Sequence, residues 1–248
     1  MLNGMLESSR GCMKEEIRMD IISNNLANST VIGFKKNRIA FKQMLDDATE
    51  NSRTPETGNT AQNQNNLLIA VRTDMSQGDI RSSGNDLDLA IFGKGFFKIN
   101  TDNGMRYTRK GNFTLDPQGN LVTQNGNMVM GKAGPLNLSG NEITIDGLGF
   151  VSIDGAVVGQ LDIVDFENYD SLLKEGKSLF RNSPNEPEKV LSPDTRVKQG
   201  YVEISNVNVA EEMVSMIHSL RAFETYQKAI RAIDELNNQA INQVGRLR

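Results

Sequence analysis

The chain has no tryptophan, one cysteine, one histidine and six prolines in 248 residues. A lone cysteine, Cys12, excludes an internal disulfide, and the missing tryptophan leans away from a large conventional enzyme core. Cys12 and His218 leave too few groups for a Cys/His or Ser/His relay, so no enzymatic activity is expected. Cys12 reads as a small apolar group on a helical stripe and His218 as an ordinary packed or interface side chain. No apolar run approaches the ~18 residues that cross a bilayer. Glu7 and Arg10 break the apolar stretch a secretory leader needs, so neither a leader nor an anchor is expected. Lysine and arginine number 27 against 31 acidic residues, a net charge of −4 that offers no basic field to nucleic acid or anionic lipid. Gly93-Lys94-Gly95 lacks the spacing of a phosphate loop. Asp86, Asp88 and the Asp116–Asn120 turn lack EF-hand spacing, so neither cofactor nor metal is expected.

What is present falls into zones. Residues 78–200 hold 17 of the 22 glycines, which marks a β-rich middle between helical ends. Leu2, Leu6, Met13, Ile17 and Ile21 follow helical spacing, and Met5, Cys12, Met19 and Leu26 recur every seven residues on an adjacent stripe. A second helical pattern follows Gly33, with Phe34, Phe41, Leu45 and Ala48 on one side and Lys35, Lys36, Arg38 and Lys42 toward solvent. Residues 46–66 have almost nothing to bury and read as a linker or arm. From Leu67 to about Tyr201 short strands are expected at turn spacing. Asp116-Pro117-Gln118-Gly119 reads as a type I turn and Asn125-Gly126 as a type I′ hairpin turn. Asn208, with Glu211 three residues on, is the expected cap of a long last helix through Met213, Ile217, Leu220, Phe223, Tyr226, Ile230 and Ile233. At ~1.5 Å per residue, 37 residues would reach roughly 55 Å, longer than the β middle can cover.

These patterns predict an α+β protein: long N- and C-terminal helices paired as an antiparallel coiled coil around a central, mostly antiparallel β domain. The expected division is residues 1–34 with 205–248 as a helical unit, 35–66 as a second helical segment and extended arm, and 67–204 as a β-rich outer domain. The helices carry more apolar surface than one pairing consumes, which marks an interaction surface whose economical partner is another copy. Asn24, Asn25, Leu26, Ala27, Asn28, Gly33 and Phe34 are expected to form its joint with Asn206 and Asn208. The apolar positions of the last helix are expected to continue that surface.

"IISNNLANSTVIGFKKNRIAF" (21–41) resembles the N-terminal signature of bacterial flagellar rod and hook proteins. "SNVNVAEEMVSMIHSLRAFETYQKAI" (205–230) resembles their C-terminal signature. "LDLAIFGKGFFKI" with "YTRKGNFTLDPQGNLVTQNG" is similar to their β domain. The resemblance runs the length of the chain and is closest to the rod members, the F type of the proximal rod ahead of the G type of the distal rod. The run "IDELNNQAINQVGRLR" and the lack of an N-terminal tryptophan point to the F type, and "SNVNVAEEMV" keeps the G type open. The resemblance implies a structural subunit of the basal-body rod, exported through the flagellar type III apparatus without a cleaved leader. Its implied partners are copies of itself and other rod proteins in a torque-transmitting tube, with no nucleic acid and no membrane insertion. A secreted β-rich adhesin with coiled-coil ends is the rival reading, and a hydrolase would need clustered carboxylates.

Overall fold

The computed structural model describes residues 2–43, 67–140, 142–183, 187–189 and 191–245. A helix stands at each end, α1 (Leu2–Ala27) and α2 (Val209–Gly245). Between them run β1 (Asn37–Gln43), β2 (Leu67–Thr73), β3 (Ile80–Ser82), β4 (Leu89–Phe92), β5 (Phe96–Thr101) and β6 (Gly104–Thr108). β7 (Phe113–Leu115), β8 (Leu121–Thr123), β9 (Met128–Gly131), β10 (Gly134–Pro135), β11 (Ile143–Ile145) and β12 (Phe150–Ile153) follow. The last are β13 (Ala156–Gln160), β14 (Ile163–Val164), β15 (Leu173–Glu175), β16 (Leu179–Arg181), β17 (Arg196–Gln199) and β18 (Tyr201–Glu203). The fold is therefore α+β with a strand-rich middle.

Nine strands make the main sheet, in the order β15-β16-β6-β5-β9-β8-β7, with β10 beside β9 and β14 beside β5. A separate three-stranded sheet runs β11-β12-β13, and three pairs, β1-β2, β17-β4 and β18-β3, complete the set. Successive strand residues face opposite sides, and β5 uses both. Phe97 packs with Leu89, Ile91, Leu121, Val129 and Leu161 in one core, while Phe96 packs with Tyr107, Val164, Phe166 and Phe180 in another.

Three of the hairpins share one device. At Asp116, Thr123 and Asp146 the backbone carbonyl accepts from a glycine N–H three residues on, Gly119, Gly126 and Gly149, at 2.9, 2.9 and 3.0 Å. Each of these glycines has a φ of 80–82°. The expected type I turn at Asp116 is present, and the Asp116 carboxylate accepts from the N–H groups of Gln118 and Asn120. The expected type I′ turn at Asn125-Gly126 is absent. Only Gly126 is left-handed there, so the loop is a type I turn closed by a left-handed glycine. The two-residue turn with both centres left-handed lies at Asp154-Gly155, φ 51° and 84°, between β12 and β13.

The helix expected after Gly33 is a strand. Asn37–Gln43 pairs residue for residue with Leu67–Thr73, and Ile39 and Phe41 alternate with Arg38, Ala40 and Lys42 at the period of two that suits this pairing. A partner rich in β-branched and aliphatic residues outweighed the helical spacing of Phe34 and Phe41. Leu45, Ala48 and the proposed arm 46–66 lie outside the described residues. Cys12 is half-buried on α1 and His218 is exposed on α2.

Gly111 sets a test of the packing. A Cβ there would collide with the Leu89 carbonyl, to which β4 is tied because the Leu89 N–H donates to the Gly111 carbonyl at 2.9 Å. Gly111→Ala is expected to lower stability by about 1–3 kcal/mol, read as a shift in urea midpoint.

Candidate assembly surface

The chain leaves α1 through a joint built from side-chain amides. Asn28 Nδ2 donates to the Asn24 carbonyl at 2.7 Å and Ser29 Oγ to the Leu26 carbonyl at 2.8 Å, satisfying groups that the helix end leaves open. Gly33, with φ 67°, donates its N–H to the Glu203 carbonyl at 2.8 Å. Asn25 grips the backbone of Asn37 from both sides: its Nδ2 donates to the Asn37 carbonyl at 3.0 Å and its Oδ1 accepts from the Asn37 N–H at 2.9 Å. Asn206 works the same way on the return path, accepting from the Lys36 N–H at 2.8 Å and donating to the Asp74 and Ser76 carbonyls at 2.9 and 3.1 Å. Asn208 then caps α2, its Oδ1 accepting from the Ala210 and Glu211 N–H groups at 3.1 and 3.4 Å. Asn25, Asn28, Gly33 and Phe34 are thus buried among partners of their own chain.

Under the joint lies a buried charge cluster. Lys35 is 1% exposed, although its position after Phe34 reads as solvent-facing, because Glu203 draws it inward. Lys35 Nζ donates to Glu203 Oε1 at 2.5 Å and to the Ser76 carbonyl at 2.6 Å. Arg109 reaches the other carboxylate oxygen at 3.3 Å and the Gly93 carbonyl at 2.7 Å, and the Gly78 N–H also donates to Glu203 at 2.9 Å. Burial lowers the pKa of Lys35 and of Arg109, and the Glu203 charge opposes that shift in both. Beside the cluster, Lys174 Nζ sits 3.8 Å from the centre of the Phe34 ring and donates to the Lys35 carbonyl at 2.6 Å and to Asn37 Oδ1 at 3.2 Å. Burial lowers Lys174 to about 8.

The helices meet along a seam in which glycines and polar groups face larger side chains. A Cβ on Gly11 would lie 2.5 Å from the Tyr226 ring, one on Gly4 would lie 3.6 Å from Ile233, and Asn25 Nδ2 reaches Glu212 at 3.5 Å. Gly11, Glu15, Ile22 and Asn25 are the buried side of α1, and Ser219 is the buried residue of α2. Phe223, Tyr226, Ile230 and Ile233 are half-buried, as is Leu26, whereas Asn24 and Ala27 are exposed. Met213, Ile217 and Leu220 face outward, Ile217 at 50% exposure, and on α1 Leu6 and Met13 do the same, Met13 at 61%. Met13 stands about 200° around the helix from Gly11, so the apolar stripe lies nearly opposite the seam. The interface residues expected from sequence therefore divide into a joint, a seam and an outward apolar stripe. Sequence reasoning missed Lys35, Arg109, Glu203 and Lys174. Their only signal was a glycine-phenylalanine pair directly before Lys35.

Three family descriptions match in chain order. "Flagella basal body rod protein" covers residues 5–35, "Flagellar hook protein FlgE/F/G D1 domain" 90–158, and "Flagellar basal body rod FlgEFG protein C-terminal" 198–243. The flagellar basal-body rod protein FlgG of Bacillus subtilis is 34% identical over 98% of this chain and 99% of its own length. The chain belongs to the flagellar basal-body rod protein family. FlgG of Buchnera aphidicola subsp. Acyrthosiphon pisum is 35% identical over 95% of this chain and 97% of its own length. The rod protein FlgF of Caulobacter vibrioides is 34% identical over 92% of each. As a member of this family the chain is a structural protein and not an enzyme.

Two measurements test the joint. Glu203→Gln leaves two buried cations without their anion and is expected to cost about 3–5 kcal/mol of unfolding free energy, far beyond an exposed acid-to-amide change. The second concerns Lys174. Its charge is disfavoured in the folded chain, so the burial cost is fully present below about pH 8. Between pH 8 and the ordinary value of 10.5 the unfolded chain holds a proton that the folded chain has released. Stability is expected to gain from this residue as pH rises through that window. In denaturation series, Lys174→Met should remove this part of the slope.

Proposed function

We propose that the chain is a self-assembling structural subunit of the bacterial flagellar basal-body rod, with its terminal helices toward the axis and its β body outside. The observation that carries this is the placement of apolar surface: Leu6, Met13, Met213, Ile217 and Leu220 face away from the helix pair, whose own seam is made by other residues, Gly4, Gly11, Ile22 and Asn25 among them. Leaving such a stripe in water is costly, at about 25 cal/mol per Å² of apolar area, and packing between subunits removes that cost. A contact between different surfaces of successive copies grows into a tube instead of closing as a dimer.

Within this reading the helices form an antiparallel coiled coil. Gly4, Gly11 and Asn25 step along α1 by multiples of seven residues, and their partners Ile233, Tyr226 and Glu212 step by the same counts in the opposite chain direction. The axial unit takes residues 1–34 and 205–248, and residues 67–204 form the outer body. The rod is the site of action, reached by export through the flagellar type III apparatus. Neighbouring subunits are copies of this chain and other rod proteins, which pass torque toward the hook. Met213, Ile217 and Leu220 lie at subunit contacts, and Asn24, Leu26 and Ala27 edge the same surface.

Of the two rod types we favour the F type of the proximal rod. The chain has no tryptophan, which the G type commonly carries near its start, and the F-type relative is as similar as the G-type relative of Bacillus subtilis, at 34%. The near end-to-end match to that G-type relative is the observation favouring the distal rod. Complementation of strains lacking one or the other type separates the two readings.

Ile217→Asp tests the carrying observation. The side chain is half exposed, so the folded monomer should change by no more than about 0.5 kcal/mol, while swimming in soft agar and recovery of the chain in purified basal bodies should be lost. Leu26→Asp should behave likewise in cells. Normal motility with both variants would remove the outward stripe as an assembly surface.

A further inference from the structure

β2 and β15 are both sheet edges. β2 pairs only with β1, and β15 only with β16, among the described residues. Between them opens a cleft of about 500 Å³, lined by Ala70–Thr73 of β2, by Asp170, Leu173 and Lys174, and by Asn24 and Asn37. Unpaired edges offer rows of N–H and C=O groups to any extended chain that enters. Val71 and Leu173 supply exposed apolar contacts at the rim.

The charge at this cleft is unbalanced. Arg72 bridges to Asp170, so that cation is matched. Lys174 is not: two of its three donors go to neutral acceptors, Lys35 O and Asn37 Oδ1, and no carboxylate of the described residues pairs with it. A half-buried ammonium held only by neutral dipoles and an aromatic face gains most from an anion brought in from outside.

We propose that the cleft between β2 and β15 is a docking site for an extended peptide segment of a neighbouring subunit, carrying an aspartate or glutamate that pairs with the Lys174 ammonium. The strand edges bind the backbone of the segment, and Lys174 selects its charge. The identity of the neighbour rests on the rod reading above; the chemistry of the cleft does not.

Two experiments separate these. The full chain in solution is titrated with the strand-forming peptide Ac-Thr-Val-Glu-Val-Thr-amide and with its glutamine counterpart, and the Lys174 Cε resonance is followed by NMR. The glutamate peptide should bind about tenfold more tightly and raise the pKa of Lys174 toward that of an ordinary lysine. Lys174→Met should abolish the difference and Lys174→Arg should keep it. Equal binding of the two peptides, no binding of either, or a preference that survives Lys174→Met overturns the docking site. In parallel, basal bodies are treated with a carbodiimide, which joins an amine to a touching carboxylate, and peptides containing Lys174 are sequenced by mass spectrometry. A cross-link from Lys174 to an acidic residue of another subunit is expected. Lys174 that acetic anhydride acetylates as readily in basal bodies as in the isolated chain, without a carbodiimide cross-link, overturns the assignment to a neighbour. Absence of the chain from basal bodies counts against the rod reading, while the peptide titration still decides the cleft.

Discussion

Glu203 is the group on which the rest of the joint depends. One carboxylate with no exposed surface serves Lys35 from the segment leaving α1, Arg109 from the loop after β6, and the Gly78 N–H from the segment before β3. Desolvating three charges is expensive, and the arrangement persists only because each oxygen is hydrogen-bonded as well as paired. The outcome is positional. The path out of the first helix and the path into the last are fixed to the same side chain, and the asparagines at 25, 206 and 208 then set the backbone on either side of it. A cluster of this type specifies one geometry, since any displacement leaves a buried charge without its partner.

Much of this fold was legible in the sequence because it follows from local rules. Asn208 before an acidic first turn and an uninterrupted apolar period gave α2, and glycine spacing gave the β middle with its turns. The failures share a cause, which is that a distant segment decided the outcome. Residues 37–43 have some helical spacing, but the strand at 67–73 offered pairing along the whole segment. Lys35 carries the residue type of a surface position, but Glu203, 168 residues away, defines where it sits. At Asn125-Gly126 the dipeptide matched a known turn, and the flanking register selected a loop one residue longer. At the candidate site the expected residues point in different directions. Asn25, Asn28 and Asn206 bond within their own chain, Asn24 and Ala27 are exposed, and of the α2 positions Met213, Ile217 and Leu220 face outward.

The helix pair mixes small, polar and apolar groups in its seam and leaves further apolar side chains outward. Gly4, Gly11, Asn25 and Ser219 share the contact with Ile22, Tyr226 and Ile233, while Leu6, Met13, Met213, Ile217 and Leu220 face out. Small residues allow close approach and polar ones define register, but neither contributes much burial. Of the two α1 stripes that periodicity revealed, Met5, Leu6 and Met13 are exposed, while Cys12, Ile17, Met19, Ile21 and Leu26 are half-buried.

β5 carries adjacent phenylalanines into two different cores, Phe97 into one and Phe96 into the other. A strand that is packed on both faces and flanked by β6, β9 and β14 has no side free to slip. The two cores are therefore mechanically in series through a single rigid strand, and a twisting load entering one reaches the other without crossing a loop. Under shear the two cores should deform as one stiff block instead of as two lobes with a hinge between them.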